Sequence, residues 1–369
     1  MHKLMPGITI LEHELNELRL LVERQAGILL DCPNSALAAH VGEYLETHEL
    51  ESPAALFARF RASDQEPSVL PRFLDGVLNV NTGFFRHPGA MNALAQYVLP
   101  QICTRKSEDG PASFRVWSAG CSTGEEAYSI AMALCEGLAS GQSPSSGNGN
   151  GNSSKDAKEK SAPPRNGNGE SSAPSAGASI PKDWSIHIVG SDLLPSAIEV
   201  AERGLYPQSA LAGLPPTMIR SCFSKIGNSN GGQNSGSATP TPTTGSGGES
   251  NGSNGHRSAV PTNGSSGSTH LLVKPRLRSL VTFNSMNLTK PVYIGRFDCI
   301  FCMDVLPHLS RTQRSALIER LHLYLEPGGY LFLSQTEKLS APNLNFRQET
   351  YDGFTLHRKP LAAGAAYGR

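Results

Sequence analysis

The sequence has little that would tie it to a charged polymer, a membrane or an oxidising compartment. Lys plus Arg and Asp plus Glu each number 32, so the formal charge is zero and no general attraction to nucleic acid or anionic lipid follows. No apolar run approaches the roughly 20 residues of a membrane helix, so no membrane insertion is expected. Met1–Thr9 carries Pro6 and Gly7 and lacks the apolar centre of a secretory leader, which predicts a cytoplasmic protein. The seven cysteines are odd in number, scattered and mostly set in apolar runs, a pattern of reduced thiols rather than a disulfide framework. Cys299 and Cys302 form a C-x-x-C, but no second pair and no histidine pair stands at zinc spacing; both are read as structural, and no metal site is expected. The dinucleotide fingerprint G-x-G-x-x-G is missing, which argues against a nicotinamide-dependent oxidoreductase.

What is present falls into unlike pieces. Ser140 to about Ser179 and Asn228 to about Thr269 are made of Gly, Ser, Asn, Lys, Thr and Pro with almost no large apolar residue. Neither can bury enough apolar surface to offset the entropy of ordering, so both (140–179 and 228–269) are expected to be disordered insertions in surface loops. The first globular part, 8–76, shows Leu11, Leu15, Leu18, Leu21 and Val22 at helical spacing, then Leu37, Val41, Tyr44 and Leu45, then Leu56, Phe57 and Phe60. Ser52 before Pro53 reads as a helix N-cap with proline in the first turn. A small all-α domain is expected there.

The second part, 77–358, alternates strands and helices. Phe114–Ser118 reads as a strand, Glu125 to about Leu138 as a helix, Trp184–Ser191 as a strand and Pro195–Arg203 as a helix. Phe297–Met303 reads as a strand, Thr312–Leu325 as a helix and Tyr330–Ser334 as a strand, with Pro327, Gly328 and Gly329 as the turn between the last two. This order predicts a doubly wound α/β sheet whose ligand sits at the carboxyl ends of its strands.

The strongest local signal is Arg115-Val-Trp-Ser-Ala-Gly-Cys-Ser-Thr-Gly-Glu-Glu-Ala-Tyr128, between a strand and a helix. Gly120 allows a tight turn and close approach to a ligand, and Gly124 opens a helix whose free N–H groups suit an acceptor. Glu125 and Glu126 at that helix start either complement its dipole or face a ligand. Asp192, at the end of the next strand, is placed to accept from ribose hydroxyls. Asn79-Val-Asn-Thr-Gly-Phe-Phe-Arg86 precedes the first strand; Phe84 and Phe85 pack the two parts together, and Arg86 is read as ligand-facing. Asn287 and Leu288 end the run Val281–Leu288 at the same carboxyl edge, where an Asn can donate to and accept from an adenine edge, or serve only its loop.

Taken together these segments resemble the chemotaxis receptor methyltransferase (CheR-type) family over roughly Ile8–His357, outside the two low-complexity stretches. The most specific stretch is Trp117–Tyr128; Thr82–Arg86, Ser191-Asp192, Asn287-Leu288, Phe297–Cys302, Leu325–Gly329 and Ser334–Glu337 follow in the expected order. The resemblance implies a Rossmann-like S-adenosylmethionine (SAM) methyltransferase sheet with an N-terminal helical domain and a small β-subdomain insertion at 206–281. It implies SAM as cofactor, S-adenosylhomocysteine as product, and O-methylation of glutamates on a protein substrate, the helical cytoplasmic domain of a receptor. Cofactor contacts carry over onto Thr82, Arg86, Gly120, Glu126, Asp192, Asn287 and Leu288, and the catalytic places onto Arg86 and His308.

The chain departs from that pattern at five places. Val80 stands where relatives commonly have Asn. Cys302-Met-Asp-Val-Leu-Pro-His-Leu309 puts Met303, Asp304 and His308 where relatives have Arg, Asn and Tyr. The second helical segment, Ser35–Leu50, has no Lys or Arg but has Glu43, Glu46 and Glu49, so it cannot supply the attraction to an acidic receptor bundle that an Arg-rich helix would. Two alternatives therefore stand beside the main reading: a methyltransferase acting on a different, non-receptor partner, and a SAM-binding interaction module without catalysis.

Overall fold

The computed structural model describes residues 10–62, 66–78, 82–106, 113–140, 184–225, 270–291, 294–339 and 343–361. The two low-complexity stretches and Val80 lie outside the described residues, apart from the backbone of Ser140.

Four helices come first: α1 (Glu12–Ala26), α2 (Asn34–Thr47), α3 (Pro53–Arg61) and α4 (Val69–Asp75). Their apolar stripes point inward, with Leu15, Leu18, Leu21 and Val22 of α1 and Leu37, Val41, Tyr44 and Leu45 of α2 all buried. Ser52 caps α3, its side chain accepting from Ala55 N at 3.3 Å.

Next come α5 (Pro88–Ala93), a π-helical turn, α6 (Leu99–Lys106), β1 (Ser113–Ala119), α7 (Glu125–Ser140), β2 (Ser185–Asp192) and α8 (Pro195–Arg203). A small excursion follows: β3 (Leu205–Pro207), α9 (Pro216–Cys222), β4 (Phe223–Lys225) and β5 (His270–Val273). These three strands form their own antiparallel sheet in the order β3-β5-β4. The chain then returns through α10 (Pro275–Arg278), β6 (Val281–Ser285), β7 (Phe297–Phe301), α11 (Arg311–Tyr324), β8 (Leu325–Phe332), β9 (Arg347–Tyr351) and β10 (Phe354–Arg358).

The main sheet has seven strands in the order β6-β2-β1-β7-β8-β10-β9. The first five run parallel, and β10 and β9 close the sheet antiparallel. Strand order reverses between β1 and β7, so the ligand crevice of a doubly wound sheet belongs at their carboxyl ends. This is the Rossmann-like α/β fold, with helices at its front and a small β insertion.

Along the strands, neighbouring residues face opposite sides. Val116, Cys299, Phe301 and Phe332 join one buried cluster with α5, α6, α7 and the small sheet. Trp117, Ile300, Cys302 and Leu331 join the other, which also contains the cores of α1–α4 and α11. Helices α1–α4 thus share one continuous apolar core with a face of the sheet.

Two sequence expectations need correction. Pro327, Gly328 and Gly329 do not form a turn between helix and strand; they lie within β8. Gly328 N donates to Lys359 O and Lys359 N to Gly329 O, both at 2.9 Å, so a distant partner satisfies the backbone that local sequence marks as a turn. The β-subdomain boundary at Val281 also moves: the small sheet ends at Val273, and Val281 opens β6 of the main sheet.

Candidate active site

A cavity of about 580 Å³ opens at the carboxyl ends of β1, β2, β6 and β7. That is within the range of about 300–1,000 Å³ common for small-molecule sites. Thr82, Arg86, Gly120, Glu126, Asp192, Asn287, Leu288 and His308, which span 227 positions of chain, all line it.

After β1 the backbone turns at Gly120, with φ of +87° and room for no side chain: a Cβ there would stand 2.5 Å from Val305 Cγ2. Gly120 N and Cys121 N both donate to Ser191 O, at 2.8 and 2.9 Å, tying the turn to the end of β2. Asp192 completes that tie. Its Oδ2 accepts from Ser122 N at 2.9 Å and its Oδ1 from Leu194 N at 3.0 Å, so this cavity-lining acid ties the Gly120 turn to the segment that opens α8. Burial raises the Asp192 carboxyl above its usual range, and the backbone donors oppose that shift.

Glu126 projects from the first turn of α7 and accepts from Ser118 Oγ at 2.6 Å. Burial, with Asp304 and Glu337 adding repulsion, pushes its carboxyl up to about 7. Its neighbour Glu125 is buried and bonds Thr123 Oγ1 at 2.7 Å and the Thr82 side chain, so Thr82 is tied to the helix start. Of the acidic pair, Glu126 is the one that lines the cavity.

Asn287 has its side-chain carbonyl taken: Thr289 N and Thr289 Oγ1 both donate to it, at 2.9 and 2.8 Å. An adenine edge could therefore receive only the amide donor, which narrows the donor-and-acceptor role expected from sequence. Leu288 supplies apolar wall, and its carbonyl is held by Arg320 Nη2 at 2.8 Å.

At the opposite end, Arg86 meets an acid that sequence proximity gives no hint of. Its Nε donates to Asp304 Oδ2 at 3.1 Å, and His87 Nε2 lies 2.8 Å from the same oxygen. Asp304 follows β7 with φ of +59°; burial opposes its ionisation, but side-chain hydrogen bonds from His87 and Ser334, with the Arg86 guanidinium beside it, hold its carboxyl below the usual range. His308 is exposed at the rim, on the 3-10 turn Leu306–His308. Sequence reasoning also missed the wall made by Ile28–Cys32, between α1 and α2. That apolar stretch carries no motif; only its pairing with Leu309 betrays its place.

Comparison with known proteins agrees with this geometry. The family model described as "CheR methyltransferase, SAM binding domain" matches residues 80–144 and 257–354. Chemotaxis protein methyltransferase 1 of Pseudomonas aeruginosa is 25% identical over 325 residues, covering 87% of this chain and 89% of that protein. The chemotaxis protein methyltransferase of Vibrio parahaemolyticus is 23% identical over 340 residues, covering 91% and 93%. These matches support the CheR-type methyltransferase family for this chain. It is a SAM-dependent methyltransferase with SAM as its cofactor.

The residues of the cavity fit that cofactor. A buried carboxylate raised to about 7 at Glu126 suits a cationic group beside it, and SAM is a cation at sulfur and at its amino group. Asp192 offers rigid carboxylate oxygens to a ribose, and the Asn287 amide remains as a donor. Ser122, on the same turn as Gly120, keeps a buried hydroxyl with no partner among the described residues. No helix among the described residues is long and apolar enough to cross a membrane.

Proposed function

We propose that this CheR-type enzyme forms methyl esters on glutamate side chains of a protein partner, the helical cytoplasmic domain of a chemoreceptor-like signalling protein. The observation that carries the reading is the polarity of the cavity. One end offers Asp192 and Asn287 for a nucleoside, and the other has Arg86, His87 and His308 around an exposed rim.

SAM supplies a methyl group made electrophilic by its sulfonium. A glutamate carboxylate is already ionised near neutral pH, so no general base is needed. One carboxylate oxygen forms the new bond to the methyl carbon as the carbon–sulfur bond breaks; the thioether leaves as S-adenosylhomocysteine and no proton moves. The protein's part is alignment and water exclusion. Arg86, fixed through Nε by Asp304, stands where it can orient a carboxylate. His308, if neutral, orients the acceptor by N–H donation without adding charge near the sulfonium. Gly120 would let the turn approach the cofactor closely, and Glu126 would offer its carboxylate to the cofactor's cationic groups.

The test is transfer of radiolabelled methyl from SAM to a chemoreceptor cytoplasmic fragment, followed by alkaline release of volatile methanol, the signature of an ester. Arg86→Ala should abolish the signal. Unchanged turnover in that variant sinks the proposal. A second reading, transfer to a different partner, is favoured by α2, where Asn34–Thr47 contains Glu43 and Glu46 and no Lys or Arg. Alkali-labile label on a non-receptor protein with none on the fragment selects it.

A further inference from the structure

The Asn287 amide is oriented from outside its own loop. Thr289 N and Thr289 Oγ1 both donate to Asn287 Oδ1, at 2.9 and 2.8 Å. A peptide N–H can only donate, so the atom of the amide that faces Thr289 is its oxygen. The nitrogen is what Asn287 has left for the cavity it lines. Which end of the amide a ligand meets is therefore decided at Thr289.

Thr289 is held in turn by Arg320 of α11. Arg320 Nη2 donates to Leu288 O at 2.8 Å and Nη1 to Thr289 O at 2.7 Å. The first carbonyl shares its peptide plane with Thr289 N, the donor to Asn287 Oδ1. The second shares its plane with Lys290 N, which donates to Asn287 O at 3.0 Å. One guanidinium thus fixes both peptides that grip Asn287. No acid stands within ion-pair distance of Arg320 among the described residues, and its Nε is buried there without a partner. Partial burial of a cation is unfavourable, and the two loop carbonyls are what offsets it.

The other side of Thr289 rests on the C-terminal cap of α1. Gly27 has φ of +73°, and a Cβ there would stand 2.4 Å from Thr289 Cγ2. Only a glycine lets the Thr289 methyl come so close. Thr289 is thus packed by α1 and hydrogen-bonded by α11, and neither helix lies next to it in sequence.

We propose that Thr289 and Arg320 are positioning residues for the cofactor. They lock Asn287 as a hydrogen-bond donor, so the base of SAM is read at Asn287 through a ring-nitrogen acceptor and not through its exocyclic amino group. The proposal rests on the nucleoside end of the cavity as read above and is independent of the methyl acceptor.

The probes are S-adenosylhomocysteine and its 1-deaza, 3-deaza and 7-deaza counterparts, each lacking one ring acceptor, titrated by calorimetry into the full chain. One of the three should bind wild type about 3- to 10-fold more weakly than the parent, the worth of one hydrogen bond. Asn287→Ala removes the donor and should close that gap. Arg320→Met frees both peptides, and Thr289→Val puts a methyl where Asn287 Oδ1 had a donor; each should at least halve the gap. Thr289→Ser keeps the hydroxyl and should keep the gap, with Arg320→Lys between wild type and Arg320→Met. Thermal unfolding checks each variant, and Thr289→Val, nearly the same shape as wild type, carries the test should Arg320→Met not fold. A gap of wild-type size in folded Thr289→Val and Arg320→Met overturns the proposal, even if affinity for all four ligands falls together, because that is the mark of a structural role alone. Equal binding of all four ligands by wild type overturns it as well. If the parent does not bind wild type, the nucleoside reading falls with it; if Asp192→Ala weakens the parent while the gap persists in both variants, the positioning role fails alone.

Discussion

Cofactor affinity should depend on pH through Glu126. Burial lifts its carboxyl from 4.5 to about 7, so at neutral pH about half the ligand-free molecules carry a neutral Glu126. A cationic ligand prefers the ionised form, and binding must expel the proton from the other half. The ionised fraction is about 3% at pH 5.5 and about 75% at pH 7.5. If only that form binds well, affinity rises about 25-fold over this interval, near 1.9 kcal/mol. Above about pH 7.7 the free α-amino group of the ligand begins to lose its own proton, so the interval ends there. The sign for stability runs the other way. A carboxyl raised above its unfolded value favours the apo fold most below 4.5, and that contribution fades as pH climbs toward 7. The thermal shift caused by SAM should therefore grow with pH. Calorimetry at pH 5.5, 6.5 and 7.5 in buffers of different ionisation enthalpy measures both affinity and proton release. About 0.7 proton should leave per SAM bound at pH 6.5. Glu126→Gln should abolish the release and flatten the curve. A flat wild-type affinity with no proton released refutes the reasoning.

Asp192→Ala should weaken SAM binding about tenfold or more, since ribose hydroxyls lose their acceptor and Ser122 N and Leu194 N lose theirs; equal calorimetric affinity would remove Asp192 from the site. Gly120→Ala forces a methyl toward Val305 at a φ of +87°, so the turn should be destabilised by about 1–3 kcal/mol and SAM affinity should fall; adding Val305→Ala relieves the clash but not the φ strain, so it should restore part of the loss. Asp298 is 1% exposed on β7 and holds Lys106 Nζ at 2.8 Å and Arg115 N at 2.9 Å. Asp298→Ala should cost about 3 kcal/mol in urea unfolding, while SAM affinity of the folded fraction stays near wild type.

What the sequence makes legible is what local chemistry demands. The turn at Gly120 needs a residue free of Cβ, and Asp192 ends a strand that hydropathy alone delimits. The strand-helix alternation then puts both at one sheet edge with Asn287 and Leu288. Contacts between distant segments are not written locally. Asp304 lies 218 positions from Arg86, and nothing near either residue announces the pair. The path of β8 through Pro327–Gly329 fails for the same reason, because the bonds that hold it come from Lys359. Asn287 shows a subtler limit. Its place at the edge is readable, yet what it can offer a ligand depends on Thr289 occupying its carbonyl.

The helical segment reads in sequence as a separate unit, and its bonding argues otherwise. Leu29 N donates to His308 O at 2.8 Å, and Ile28 bridges Leu309, so the α1–α2 connection forms one wall of the cavity and fixes the turn at the acceptor end. Arg19 on α1 grips the same connection through the carbonyls of Leu30 and Cys32. Thr289 Oγ1, whose proton goes to Asn287 Oδ1, lies 3.1 Å from Ala26 O, while Arg320 on α11 holds the carbonyls of Leu288 and Thr289 at 2.8 and 2.7 Å. The nucleoside-side loop is thus clamped between α1 and α11, and the acceptor-side turn between the α1–α2 connection and Glu337. Both ends of the cavity share backbone hydrogen bonds with the helical segment. A partner that seats on α1–α4 and shifts the α1–α2 connection must move a cavity wall, because Leu29 cannot leave without stripping the His308 carbonyl of its donor. The α1–α2 connection and the turn that carries His308 are therefore mechanically coupled.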